Sequence, residues 1–398
     1  MAIGIVCEYN PFHKGHQYQL QTAQALSGST DTPIICVMSG HYVQRGEPAL
    51  LDKWTRTRMA LAGGASLVIE LPTYYSTATA EWFAKGAISL LYHTGITDSL
   101  SFGTEAPDEL CSLQTLCEHL VPESAVYQTL LQQNLSQAPS FAAAREQTLQ
   151  TLAGHPLHLQ SPNTILVLEY LKAARSLSWQ PKLLPIERIS AGYHDLSTQA
   201  EFPSASAIRR QAETGHSIQP YLPDCCPPFD SNTCIFPKDL FQFLPYVLCQ
   251  HSAETLQQID EVSEGLENRI LDLSLDAPVY EELLERLKTK RYPTSRLRRI
   301  LLNTLLNITK TRKQELDFSS GPSYIRVLGF RRERQNLLSQ LVEKASLPVV
   351  TNLSRQLSAL PSPAKAMLED EIRFSQIYSA THKTLKRDCE YRMPMIIL

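Results

Sequence analysis

Apolar positions in the first half of the chain follow two alternating rhythms. Short runs rich in β-branched residues read as strands over Ala2–Val6, Pro33–Met38, Leu67–Glu70, Ser99–Phe102 and Lys182–Ile186. Between them, apolar residues recur every three or four positions, which predicts helices over Gln17–Leu26, Asp52–Ala62, Thr77–Tyr92 and Asn163–Ser176. The punctuation agrees: Asn10-Pro11 breaks the first strand, Gly28 and Gly63-Gly64 close two helices, and Ser161-Pro162 caps another. Such alternation predicts an α/β fold with a doubly wound parallel sheet. Residues 106–160, rich in Leu, Gln and Ala, read as a helical insertion over the carboxyl ends of the strands. A Pro- and Cys-rich stretch, 225–237, reads as a linker, and 238–398 shows helical periodicity with almost no strand signal. The expected division is therefore an α/β domain over 1–224 and a mainly α-helical, basic domain over 238–398.

Charge is uneven. The chain of 398 residues carries a formal net charge of −3, yet Glu281–Arg334 holds fourteen Lys and Arg against six Asp and Glu. No acid falls between 286 and 299, where seven of fourteen residues are basic. On a helix over 296–308, Arg296, Arg299, Asn303 and Asn307 share one face while Leu297, Ile300, Leu301, Leu305 and Ile308 share another. Like charges this dense repel unless a polyanion binds them, so Lys288, Lys290, Arg291, Tyr292, Arg296, Arg298 and Arg299 form the candidate RNA surface. Tyr292 and Tyr324 are candidates for stacking on a splayed base, with the apolar core as their alternative place. The nine cysteines lack paired C-x-x-C spacing, so reduced thiols are expected and no metal site. No apolar run reaches membrane-spanning length and no signal peptide opens the chain, so a cytoplasmic protein is expected.

The chemistry concentrates at the first strand–loop–helix corner, His13-Lys14-Gly15-His16. Two imidazoles and an ammonium beside the orphan N–H groups of a helix start suit phosphate, and Gly15 lets a nucleotide approach the backbone. Metal binding or plain solvent exposure are the alternatives for two histidines so spaced. Placed directly after the first strand, this H-x-G-H string resembles the ATP-holding loop of the HIGH-type nucleotidyltransferase (HUP-like) superfamily. The longer string Gly4 to Gly15 resembles the bacterial tRNA(Met) cytidine acetate ligases, as does Glu264-Gly-Leu-Glu-Asn-Arg269. Downstream, Phe202-Pro-Ser-Ala-Ser-Ala-Ile-Arg209 resembles the second superfamily signature, with Ser206 where a threonine is usual and Ala205 where a serine is. Ser204, Ser206 and Arg209 are accordingly candidate ligands of the outer phosphates.

The resemblance implies that the nucleotide segment is Cys7, Glu8, Tyr9, Asn10, Pro11, Phe12, His13, Lys14, Gly15, His16, Gln17, Tyr18, Gln19 and Leu20. It adds single contacts at Gly103, Asn163 and Arg188. It further implies that acetate is activated by ATP, with Mg²⁺, as acetyl-adenylate, and passed to the wobble cytidine of elongator tRNA(Met). In that scheme His13, Lys14 and His16 serve catalysis through charge stabilisation, since a carboxylate nucleophile needs no base. Lys53 and Glu70 lie near the same rim as weaker candidates. The alternatives are an adenylyltransferase making a dinucleotide-type product, or a nonenzymatic RNA-binding or assembly factor. Nothing in the sequence bears on the oligomeric state.

Overall fold

The first five predicted strands form a parallel core: β1 (Ala2–Cys7), β2 (Ile34–Ser39), β5 (Leu67–Leu71), β6 (Thr97–Thr104) and β7 (Lys182–Glu187), ordered β5-β2-β1-β6-β7. In the computed structural model, residues 2–138, 140–188, 203–263, 265–274, 276–277, 279–289 and 292–398 are described. Alternation along β2 shows why that strand is apolar from Ile34 to Met38. Ile35 and Val37 face one core with Ala84, Ile88 and Leu91 of α4 (Ala80–His93) and Val167 and Leu171 of α8 (Pro162–Ser176). Ile34, Cys36 and Met38 face the other, with Leu20 and Ala23 of α1 (Lys14–Ser27) and Trp54 and Met59 of α2 (Lys53–Ala62). Both faces are covered by helices, so both sets of alternating side chains along β2 are apolar. The strand order reverses between β1 and β6, and a doubly wound sheet presents ligands at the carboxyl ends beside such a reversal.

After β2 the chain makes a small antiparallel hairpin, β3 (Tyr42–Val43) with β4 (Glu47–Pro48). A short helix, α3 (Thr73–Ser76), follows β5. The insertion supplies α5 (Leu110–Leu120), α6 (Ala125–Leu135) and α7 (Phe141–Ala153), of which α5 packs on α8. Past β7, α9 (Ala205–Glu213) begins at Ser204, whose hydroxyl accepts the N–H of Ala207.

The second half is mainly helical, as expected, and it also completes the sheet. β8 (Ile325–Phe330) joins the central sheet antiparallel to β5, with Val68 opposite Gly329, while β9 (Val349–Val350) and β10 (Ile396–Ile397) pair with β8. One apolar cluster runs from Ile35 and Ile69 of the sheet to Leu297, Ile300 and Leu301 of a helix over Thr294–Leu306, and on to Phe374 and Tyr378. The 225–237 stretch is packed too: Ile235 is buried and its N–H donates to the Leu50 carbonyl. The strand at 325–330 was illegible because Arg326 interrupts its apolar run. That guanidinium is buried against Glu70 and Glu390, which also hold the Lys53 ammonium at 2.5 and 2.6 Å. Lys53 and Glu70, expected near the ligand rim, thus belong to a buried ionic network that ties the C-terminal segment to the sheet.

Candidate active site

At the carboxyl ends of β1 and β6 lies a cavity of about 420 Å³. Its polar wall begins with the two histidines. His13 is the N-cap of α1, in extended conformation, and its Nδ1 accepts the Gly15 N–H at 3.1 Å. The Nδ1 of His16 reaches back to accept the His13 N–H at 3.3 Å, so the pair forms a capping box built from imidazoles. Their ring centres are 3.8 Å apart. Because each Nδ1 accepts a backbone N–H, each neutral ring carries its proton on Nε2, as a donor. Burial, with the Arg188 and Arg209 charges beside it, pushes His13 down to about 3. Burial, His13 and Arg188 likewise hold His16 well below the ordinary imidazole value. Both rings are therefore neutral donors at the helix mouth, not acids or bases.

Cationic charge comes from arginines. Arg209 donates to the Asn10 carbonyl at 2.9 Å and to the Ser206 hydroxyl at 3.2 Å. Arg45, from the hairpin turn, reaches the same hydroxyl at 3.3 Å. Arg188 lies across Gly103, where an added Cβ would meet its Cγ at 3.3 Å, with Glu105 at 3.6 Å from its Nε. Glu105 also takes the Asn163 amide. Beneath the wall, Arg56 is fully buried and its guanidinium donates to the carbonyls of Glu8, Ser39, Gly40 and Leu51, tying the loops after β1 and β2 together. The other wall is apolar, with Phe83 of α4, Phe102 of β6 and Tyr170 of α8. Polyphosphate on one side and a flat, uncharged group on the other is what this division suits.

Most of the sequence-based candidates line the cavity: Cys7, Glu8, Tyr9, Asn10, His13, Gly15, His16, Tyr18, Gln19, Gly103, Asn163, Arg188, Ser204, Ser206 and Arg209. Five do not. Phe12 and Leu20 are in the core and Pro11 is buried. Gln17 faces Cys225, and the Lys14 ammonium, expected beside the histidines, donates instead to the Pro220 carbonyl at 2.8 Å. On α1, Lys14 lies about 200° around the axis from His16, which is why it parts from that histidine. Gln44 and Arg45 line the cavity without having been singled out, although their loop was legible as lying past β2. The insertion helices contribute nothing to the lining among the described residues; the wall on that side is α8.

The basic helix, Thr294–Leu306, carries less free charge than its sequence suggests. Arg298 pairs with Glu47 of the hairpin, and Arg299 makes a two-pronged contact with Glu261 at 2.7 Å. Arg296 donates to the Glu261 carbonyl and the Ser263 hydroxyl, both at 3.0 Å. Lys288 is half exposed and sits 3.8 Å from Glu285, while Lys290 and Arg291 lie outside the described residues. Tyr292 is 7% exposed with its hydroxyl on the Ser263 carbonyl, and Tyr324 is fully buried, so both take the core alternative.

No helix among the described residues is long and apolar enough to cross a membrane. The sequence profile of the HIGH Nucleotidyl Transferase family matches residues 1–392. A tRNA(Met) cytidine acetate ligase of Thermoanaerobacter sp. (strain X514) is 40% identical over 392 residues, covering 96% of this chain and 95% of that one. One from Acetivibrio thermocellus is 36% identical over 398 residues, with the same coverage of each. Two crystal structures of Thermotoga maritima TmcAL align over the whole of both chains at 31% identity. The apo form gives a TM-score of 0.90 and the form bound with alpha-thio ATP 0.88.

Proposed function

Since this chain belongs to the HIGH Nucleotidyl Transferase family, and within it to the tRNA(Met) cytidine acetate ligases, we propose that its cavity activates acetate with ATP and hands the acetyl group to the wobble cytidine of elongator tRNA(Met). The observation that carries the site assignment is the imidazole capping box, which aims two neutral N–H donors and a helix N-terminus at one place.

The chemistry follows from the donors. An acetate oxygen attacks the α-phosphorus, the new O–P bond forms, and the bond to the bridging oxygen breaks so that pyrophosphate leaves. Acetate is ionised at neutral pH and needs no base, but charge grows on the equatorial phosphoryl oxygens and the leaving group. The Nε2 donors of His13 and His16 serve the former, and Arg45, Arg188 and Arg209 with Ser204 and Ser206 the latter. Mg²⁺ would come with the nucleotide: among the described residues no group of three or more His, Cys, Asp or Glu is placed to hold an ion.

In the second step the cytidine amine attacks the acetyl carbon. The C–N bond forms, the bond to the phosphate oxygen breaks, and AMP departs. The amine must shed a proton, and we assign its acceptance to Glu8, whose Oε1 is held by the Gln44 N–H at 2.7 Å. The basic helix comes close to this point, because Arg298 is bound to Glu47, two residues from Arg45 in the cavity wall, and an RNA lying along that helix would meet the cavity there. A dinucleotide-forming enzyme would have no use for that proximity.

The decisive experiment incubates purified protein with ATP, Mg²⁺, radiolabelled acetate and total bacterial tRNA, then digests the RNA. Label in acetylcytidine is expected, along with acetate-dependent ATP–pyrophosphate exchange in the absence of RNA. Exchange without any labelled nucleoside would overturn the acceptor assignment; neither activity would overturn the whole.

A further inference from the structure

The hairpin Tyr42–Pro48 joins the cavity to the basic helix, and its tip is shaped by both. Its base is anchored to the main body: the Ala49 N–H donates to the His41 carbonyl at 2.8 Å, Tyr378 Oη to the Ala49 carbonyl at 2.9 Å and Ser76 Oγ to the Tyr42 carbonyl at 2.9 Å. On the cavity side, the Gln44 N–H grips Glu8 and Arg45 reaches Ser206. On the helix side, Gly46 has φ +74° and lies so close that an added Cβ would stand 2.4 Å from the Arg299 nitrogen and 2.6 Å from the Arg298 carbonyl carbon. No side chain fits there without the backbone of one element moving, and few residues tolerate that φ. Glu47 then pins the same turn to the Arg298 guanidinium.

From this packing we propose that Gly46 and Glu47 are positioning residues for acetate activation, through which the basic helix fixes the placement of Gln44 and Arg45 in the nucleotide cavity. The idea rests on the functional reading above. The physical reason is leverage: four consecutive residues, 44 to 47, face the cavity with the first two and the helix with the last two. Displacing the turn to admit a methyl group at 46 therefore shifts the Gln44 N–H away from Glu8 and the Arg45 guanidinium away from Ser206. Hydrogen bonds of 2.7 and 3.3 Å do not survive a displacement of about 1 Å.

The test uses the full-length protein without RNA, so that phosphate binding by the helix does not enter. ATP affinity is measured by calorimetry, and kcat and KM by acetate-dependent ATP–pyrophosphate exchange. Gly46→Ala and Glu47→Gln are each expected to lower kcat/KM at least tenfold while the far-ultraviolet spectrum stays native. Glu47→Arg is expected to lose as much, and the exchanged pair Glu47→Arg with Arg298→Glu to recover at least threefold of it. A purely structural role would predict no such recovery at unchanged melting temperature. Wild-type exchange in Gly46→Ala and Glu47→Gln overturns the proposal, as does an exchanged pair no better than Glu47→Arg alone. If Gly46→Ala does not fold, the two Glu47 variants decide. A wild type that binds ATP yet shows no acetate dependence sinks the functional reading instead, and the hairpin is then judged on calorimetric ATP affinity, where a loss of tenfold is expected and none refutes it.

Discussion

His13 does two jobs with two nitrogens, and a substitution can separate them. Its Nδ1 caps α1 by accepting the Gly15 N–H at 3.1 Å, while its Nε2 faces the cavity. Asparagine is among the best N-cap residues and its side-chain oxygen occupies nearly the place of Nδ1, but it is too short to put a donor where Nε2 lies. His13→Asn should therefore leave stability within about 0.5 kcal/mol of wild type in urea titrations, since the cap is kept. Loss of one donor to a developing phosphoryl charge costs about 10²–10³ in rate, or roughly 3–4 kcal/mol, so acetate-dependent exchange should fall by that factor. His13→Ala removes cap and donor together: the same kinetic loss, plus about 1 kcal/mol of stability. A His13→Asn enzyme with exchange within threefold of wild type would refute the donor role. Equal stability of the alanine and wild-type proteins would refute the cap.

Lys53→Met leaves the buried Glu70 and Glu390 carboxylates with Arg326 as the one paired cation among the described residues and should cost about 3–5 kcal/mol in urea unfolding, against less than 1 if the network is dispensable. Because His13 and His16 are held neutral in the free enzyme, kcat/KM for ATP should show no limb from them between pH 6.5 and 9; an ionisation near 7 abolished by His16→Gln would contradict this. Glu371 is pushed up to about 7, by burial first and by the Glu70 charge second, so its contribution to stability is complete below 4.5 and is lost as pH rises through 7. Replacing it by Gln should remove that decline, raising stability at pH 8 relative to pH 5 by up to about 3 kcal/mol in paired unfolding curves, and parallel wild-type and variant curves would contradict it. Tyr292→Phe gives up one hydrogen bond to Ser263 and should cost about 1 kcal/mol of stability while tRNA affinity in filter binding stays within twofold; a tenfold loss of affinity at unchanged stability would restore the tyrosine as a stacking platform.

What could be read from the residues alone was whatever the chain expresses locally. The five parallel strands and the helices between them announced themselves by period and by Gly, Pro and Ser punctuation. The phosphate corner was visible because two histidines and a glycine sit within four consecutive positions, His13 to His16, at a helix start; that the rings themselves cap the helix was not. What stayed hidden depends on partners far along the chain. Arg326 breaks an apolar run until Glu70 and Glu390, 256 and 64 positions away, neutralise it inside the sheet and turn 325–330 into β8. The basic stretch looked uncompensated because Glu47 and Glu261, which neutralise Arg298 and Arg299, lie outside it. Arg45 stands in the cavity wall beside Gly46, which docks on a helix 252 positions downstream that no local pattern connects to it. Local pattern determines which elements form, because backbone hydrogen bonding and side-chain direction are settled within a few residues. Which charges meet, and so which remain for a ligand, is decided only when burial removes water from pairs that the sequence keeps apart.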